Sequence, residues 1–378
     1  MKRIIYADNA ATTKLNINAF EAMKSFLIDD FSNPSQPYSF SRESKRAIKE
    51  SRKIIADCIG AEPEEIYFTS GGTESDNWAI KCFGLPSDVK RIITSEIEHH
   101  AILNACESLK TTAKIDHLKV DKQGLVNPSN LEKTLDMGEK TCQSCLVSIM
   151  LANNEIGTIQ NIKALAEITH KRGALFHTDA VQAVGHIPID VKELGVDMLS
   201  ASAHKFNGPK GIGFLYIKKG TVIQPLHNGG SQESGVRAGT ENVAAIVGMA
   251  VALKENCSNI KKNTSYLNDL ENKLINALNE QGIDFIRNGA EQHLPGNINI
   301  SIKDSNGEML LHRLDLMGIC VSTGSACDSV NNQVSHVIKA IDVPNEYAEG
   351  TIRISLSSEN NVDDITSIAK AIAKIMAR

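Results

Sequence analysis

The sequence lacks the marks of several large functional classes. No apolar run approaches the ~18 residues of a membrane span, and the opening MKRIIYADNAATT holds no apolar stretch of signal-peptide length. No Walker-type phosphate loop and no G-x-G-x-x-G turn is present, which argues against ATP and NAD chemistry. The net charge is −5, so no positive excess predicts direct nucleic-acid binding. The eight cysteines sit mostly inside apolar or helical patterns, too sparse for a secreted disulfide scaffold. A reducing cytoplasm is the expected setting. Cys142 and Cys145 form the only metal-like spacing, and two further ligands at comparable spacing are missing, so no metal is expected. No low-complexity linker or internal repeat divides the chain.

The 378 residues are enough for two domains and a large core. The most informative stretch runs Val196 to Tyr216, VDMLSASAHKFNGPKGIGFLY. It reads as a strand, then a polar loop with Ser200, Ser202, His204 and Lys205, then a glycine turn into a second apolar run. A lysine leaving a buried strand is costly to desolvate, and desolvation lowers its pKa towards a reactive amine. Lys205 is thus a candidate Schiff-base lysine, with Ser200 and Ser202 as hydroxyls able to hold a phosphate. Upstream, Leu175 to Asp179 is an apolar strand ending in a carboxylate. A pyridoxal phosphate enzyme needs such an acid against the pyridine nitrogen.

The motifs SASAHKFNGPKGIG, HTDAVQAVG, NNEIG and STGSAC, in that family's order over nearly the whole chain, resemble the cysteine desulfurases of the NifS/IscS group. These are class V aminotransferase-like, fold-type I pyridoxal phosphate enzymes. The resemblance implies an α/β fold: a large domain with a mainly parallel sheet flanked by helices, plus a smaller α+β C-terminal domain. The division expected is an N-terminal segment 1–15 packing with the small domain, a large domain 16–255 and a small domain 256–378. The strand–helix repeats point independently to a parallel sheet with ligand groups at the strand ends.

The resemblance also implies roles. Lys205 would hold pyridoxal 5'-phosphate and remove the α-proton of L-cysteine, Asp179 would face the ring nitrogen, and His99 would stack on the ring and relay a proton. Gly72 and Thr73, which caps its turn, would hold the phosphate with Ser202 and His204. Gln182 and Asn154 would lie at the cofactor, and Asn33, Asn154 and Arg353 at the substrate. A guanidinium can clamp a carboxylate bidentately, which suits Arg353. Cys327, in a small polar loop, would be the nucleophile that takes the sulfur as a persulfide. Thr240, in the glycine-rich stretch 229–240, would reach a neighbouring subunit's phosphate, implying a homodimer with shared sites and a sulfur-acceptor protein as partner. The sulfur's destination, iron–sulfur assembly or thio-modification of nucleic acid, stays open. So do a selenocysteine lyase, a kynureninase-like enzyme and a sulfur-relay scaffold. The chain departs from the family pattern at Tyr38, Ser231, Ser234 and Asp328. Among local readings, Arg42 to Ile59 forms an amphipathic helix, Leu146 to Leu151 a strand, and Glu241 to Gln281 a long helical region, continuous or broken. Cys320 reads as core.

Overall fold

The computed structural model describes residues 3–84, 90–137, 144–324 and 334–377. Cys327, Asp328 and Cys142 lie outside them. Strands are numbered along the chain: β1 Ile5–Tyr6, β2 Ile66–Thr69, β3 Lys90–Ser95, β4 Ala113–Leu118, β5 Ser144–Ser148 and β6 Leu175–Asp179. They continue with β7 Met198–Ser202, β8 Gly213–Ile217, β9 Phe285–Arg287, β10 Asn297–Ile302, β11 Ile319–Cys320 and β12 Thr351–Ser355.

Seven strands form one sheet in the order β2-β8-β7-β6-β5-β3-β4. All run parallel except β8, which is antiparallel to both neighbours. Side chains alternate across a strand, and the pattern is visible here. Ile93, Val147, Leu199 and Phe214 enter one apolar cluster, with Ile55, Phe176 and Ile246. Their chain neighbours Ile92, Leu146, Met198 and Leu215 enter the cluster on the other face, with Trp78 and Ile102. Burial on both faces is why these strands read as apolar runs. β5 stops at Ser148, before the expected Leu151, yet the N–H groups of Ile149 and Leu151 still donate to the His177 and Asp179 carbonyls.

Helix Arg42–Ile59 buries Ser44, Ala47, Ser51, Ile55 and Ile59, a single face at 3–4-residue spacing. It ends on Gly60 in the left-handed region at φ 71°. The stretch expected to be helical after Glu241 is one unbroken helix, Val243–Glu280, roughly 57 Å long at 1.5 Å per residue. Its first turns pack into the large-sheet core through Ile246, Met249 and Leu253. Its last turns pack through Leu270, Leu274 and Leu278 into a separate core with Ile298, Ile300, Ile352, Ile354 and Ile372. That second core covers a three-stranded antiparallel sheet, β12-β10-β9. Its closing helix, Val362–Met376, starts on a reciprocal Asn361–Asp364 cap.

The N-terminal segment touches both units. β1 pairs in parallel with β11 and Ala7 enters the second core, while Thr13 bonds to the His204 carbonyl. Cys320, on β11, is half-buried rather than core. Among the described residues no helix is long and apolar enough to cross a membrane.

Candidate active site

In a parallel sheet, groups that follow the strand C-termini share one crevice. Here β3 leads to His99, β5 to Asn154, β6 ends on Asp179, and β7 ends on Ser202 with His204 and Lys205 next. All of them line one cavity of about 510 Å³ with Gly72, Thr73, Gln182 and Arg353. Asp76, Met150, Lys210 and the segment Ala10–Thr12 are among its other lining residues. Asn33 is not among its lining residues. Its side chain accepts from the Ser35 N–H at 2.9 Å. Thr240 is exposed in the single chain and lines a separate cavity of about 150 Å³ with Ser70, Gly211 and Arg237. Tyr38 is exposed and outside the cavity.

One end of the cavity is a backbone anion cradle. Helix Gly72–Cys82 begins after Gly71, which is its N-cap at φ 151°. Thr73 is therefore inside the first turn and not the cap. The initial N–H groups of a helix have no intrahelical partner and favour an anion. Glycine is required here by space: a Cβ on Gly72 would lie 2.6 Å from Val181 Cγ2. On the facing strand, a Cβ on Gly213 would lie 2.8 Å from Gly71 Cα. Ser202 and His204 complete this end, whereas Ser200 is fully buried against His177 at 2.9 Å and does not line the cavity. His204 bonds to Thr12 Oγ1 at 3.1 Å. Burial, with Lys205 and Lys210 beside it, lowers its pKa to about 4, so the ring is neutral.

Glu74, which also lines the cavity, fastens the cradle. It accepts from the Ser70 N–H and takes both arms of Arg237, at 2.8 and 3.1 Å. Burial opposes its charge, but Arg237 and Ser70 hold the carboxyl below its usual range. Arg237 thereby ties down the glycine-rich stretch, and a second pair does the same from Glu233 to Arg52 at 2.6 and 2.8 Å. This explains how Glu233 and Ser234 can both hold positive φ, at 45° and 57°.

At the other end, the Lys205 ammonium donates to the Ala10 and Ala11 carbonyls at 2.6 and 2.9 Å. Gln182 donates to the same Ala10 carbonyl at 3.0 Å. Burial raises the Asp179 carboxyl to about 6, against the lowering effect of the Val181 N–H and of Lys205. Glu98, directly before His99, is fully buried against Ser95 and the Met150 N–H. Burial pushes it up to about 8. His99 accepts the Ala101 N–H on Nδ1 at 3.1 Å, which leaves Nε2 as the nitrogen that faces other partners with a proton. His100 packs on His336, ring centres 5.0 Å apart.

Arg353 is 1% exposed. It donates from Nη2 to Asp8 at 2.8 Å and from Nη1 to the Asn154 carbonyl at 2.9 Å. Among the described residues its Nε has no partner. Asp8, Asp76 and the Ala10–Ala11 carbonyls were missed by sequence reasoning. Asp76 carried a signal, since a carboxylate shares the buried face of its helix with Gly72, Ala79 and Ile80. Asp8 carried none beyond its place in a polar segment.

The chain matches the aminotransferase class-V family over residues 5–368. It is 48% identical to the cysteine desulfurase IscS of Dictyoglomus turgidum, over 100% of this chain and 96% of that one. Among solved structures it is similar to a NifS-like protein, 36% identical with a TM-score of 0.92, covering 99% of this chain and all of the other. It is also similar to SspA in complex with cysteine, 34% identical with a TM-score of 0.80, covering 93% of this chain and 99% of that one.

Proposed function

From its membership of the class-V aminotransferase family, where this chain belongs with the IscS- and NifS-like cysteine desulfurases, we infer that it converts L-cysteine to L-alanine using pyridoxal 5'-phosphate. The observation that carries the reading is one cavity joining an anion cradle, a strand-end carboxylate and a lysine amine. The residues present fit that cofactor. The space a Cβ on Gly72 would fill, and the unpartnered first-turn N–H groups, suit a phosphate. Asp179, poised near 6, suits a ring nitrogen that shares its proton.

When bound, the cofactor supplies an electron sink that loosens bonds at the substrate's α and β carbons. The residues do the rest. Gly72, Thr73, Ser202 and His204 would hold the phosphate, and Asp179 would keep the ring nitrogen protonated. Lys205 would hold the cofactor at its aldehyde end and would move the substrate's α-proton. Arg353, braced by Asp8 and the Asn154 carbonyl, would orient the α-carboxylate, with Asn154 as a further contact. His99 holds a proton on Nε2 for the substrate sulfur. The Cys327 thiolate attacks that sulfur: the substrate's C–S bond breaks, an S–S bond forms, and the products are alanine and a Cys327 persulfide. The persulfide then passes its outer sulfur to an acceptor protein.

We assign the working form as a homodimer that completes each site with the partner copy's Thr240. Exposed Thr240 and the exposed apolar side chains Ile17, Phe20, Leu27, Ile28 and Phe31 support this. The division into a large domain 16–255, a small domain 256–378 and the segment 1–15 is kept, supported by the two separate cores. A cytoplasmic location is supported by the free thiols of Cys58, Cys82, Cys106, Cys257 and Cys320. The test is loading with pyridoxal 5'-phosphate and turnover with L-cysteine. Wild type is expected to turn yellow and release alanine, and Lys205→Ala to do neither. A fully active Lys205→Ala enzyme refutes the assignment.

A further inference from the structure

Three titratable side chains of the cavity are left idle by the reaction above: Glu74 is paired with Arg237, Lys210 is exposed, and Asp76 is neither. Asp76 lies one helical turn beyond Gly72, is 1% exposed, and lines the cavity beside Asp179. The Ser200 hydroxyl is the one group whose hydrogen bonding to the Asp76 carboxyl favours its charged form, and among the described residues the buried Oδ1 has no hydrogen-bond partner. Such an atom is rare in a folded protein and asks for a reason.

The surroundings supply one. From β6, Asp179 and His177 act on or approach Asp76, from β7 Ser200, and from the turn after β3 Glu98. No lysine or arginine is among the groups that shift it. His177 Nε2 stands 3.8 Å from Asp76 Oδ1, but the imidazole is sealed between Ser148 and Ser200, at 2.9 Å each. Burial lowers His177 to about 3, so it is neutral and offers no counter-charge. Asp179, in contrast, has the Lys205 ammonium and a 2.9 Å hydrogen bond from the Val181 N–H.

Two carboxyls in one buried site do not both ionise, and the pair divides its proton according to environment. Burial first, and then the charge of Asp179, push Asp76 well above the carboxylate range.

We propose that Asp76 is a positioning residue: it stays protonated, as the neutral partner that leaves the single negative charge of the cavity floor on Asp179. The proposal rests on the cofactor reading above, because that charge is what the cofactor's ring nitrogen would meet. Asp76 takes no part in bond making. It sets the charge that Asp179 presents.

The experiment is infrared spectroscopy at neutral pH on wild type, Asp76→Asn and Glu98→Gln, each with and without pyridoxal 5'-phosphate. It is paired with a pH titration of the bound cofactor's visible absorption. Glu98 gives an acid band of its own, which Glu98→Gln removes. The expected result is a second carboxylic-acid band that survives in Glu98→Gln and is lost in Asp76→Asn. In the titration, Asp76→Asn keeps the wild-type midpoint, because an amide is as neutral as the acid it replaces. Absence of the second band overturns the proposal, and so does a midpoint shift of roughly one pH unit or more in Asp76→Asn. If Asp76→Asn does not fold, the band remaining in Glu98→Gln decides. If the wild type never turns yellow, the cofactor reading has failed, and the cofactor-free infrared spectra still decide the charge on Asp76.

Discussion

Asp8 and Arg353 meet across 345 positions of chain, Nη2 to Oδ1 at 2.8 Å, in a cavity wall where the guanidinium is almost fully buried. The pair joins the N-terminal segment to β12, and it holds the arginine's fork in one orientation. A pre-set fork binds a carboxylate with less loss of side-chain freedom.

Removing that fork should therefore be costly for substrate. Arg353→Ala is expected to lower kcat/KM for L-cysteine about 100-fold, from roughly 3 kcal/mol of charge-assisted hydrogen bonding. Arg353→Lys keeps the charge and should recover part of it, and Asp8→Asn should raise KM about tenfold or less. Steady-state kinetics checks all three. Unchanged kcat/KM in Arg353→Ala contradicts the assignment.

Glu98 gives stability a pH slope opposite to that of an ordinary carboxylate. Its folded pKa, about 8, lies above the 4.5 of a free glutamate. Between those limits the folded chain holds a proton that the unfolded chain has lost, so stability falls as pH rises. Below the lower limit the contribution is fully present. Glu98→Gln should flatten this part of the curve. Urea midpoints at pH 5 and pH 8 measure it, and parallel curves for wild type and variant refute it. His177 works the other way: with a folded value near 3 against 6.5, it withdraws stability as pH falls through that window.

The Glu74–Arg237 pair connects the helix cradle to the glycine-rich stretch. Both groups are largely buried, at 9% and 20% side-chain exposure, so Arg237→Ala strands a carboxylate rather than exposing it. A loss of about 1–3 kcal/mol is expected in urea unfolding, with weaker retention of pyridoxal 5'-phosphate. An unchanged midpoint contradicts this role.

Much of the site is legible because strand ends are legible. Asp179 and Lys205 follow apolar runs, and a parallel sheet gathers such positions without further information. Arg42–Ile59 is read from its period, and its end from Gly60. What escapes is pairing at long range. Nothing near Asp8 points to Arg353, and nothing near Lys205 says that the Ala10 and Ala11 carbonyls will hold its ammonium. Thr73 beside glycines satisfies the usual cap preference, but the cap is Gly71. The geometry instead places the turn one residue after Gly71, where it packs on Gly213. The Ser200 hydroxyl looked equivalent to Ser202. The two share a face of β7, and position along the strand separates them: Ser200 is covered by His177, while Ser202 stands at the strand's C-terminal end and reaches the cavity.

The most direct test of the whole account compares wild type with Cys327→Ala for alanine and sulfide release from L-cysteine, while the bound cofactor's colour is followed. The account predicts that the variant stays yellow and binds cysteine but loses turnover and forms no persulfide. Full alanine release by Cys327→Ala contradicts it.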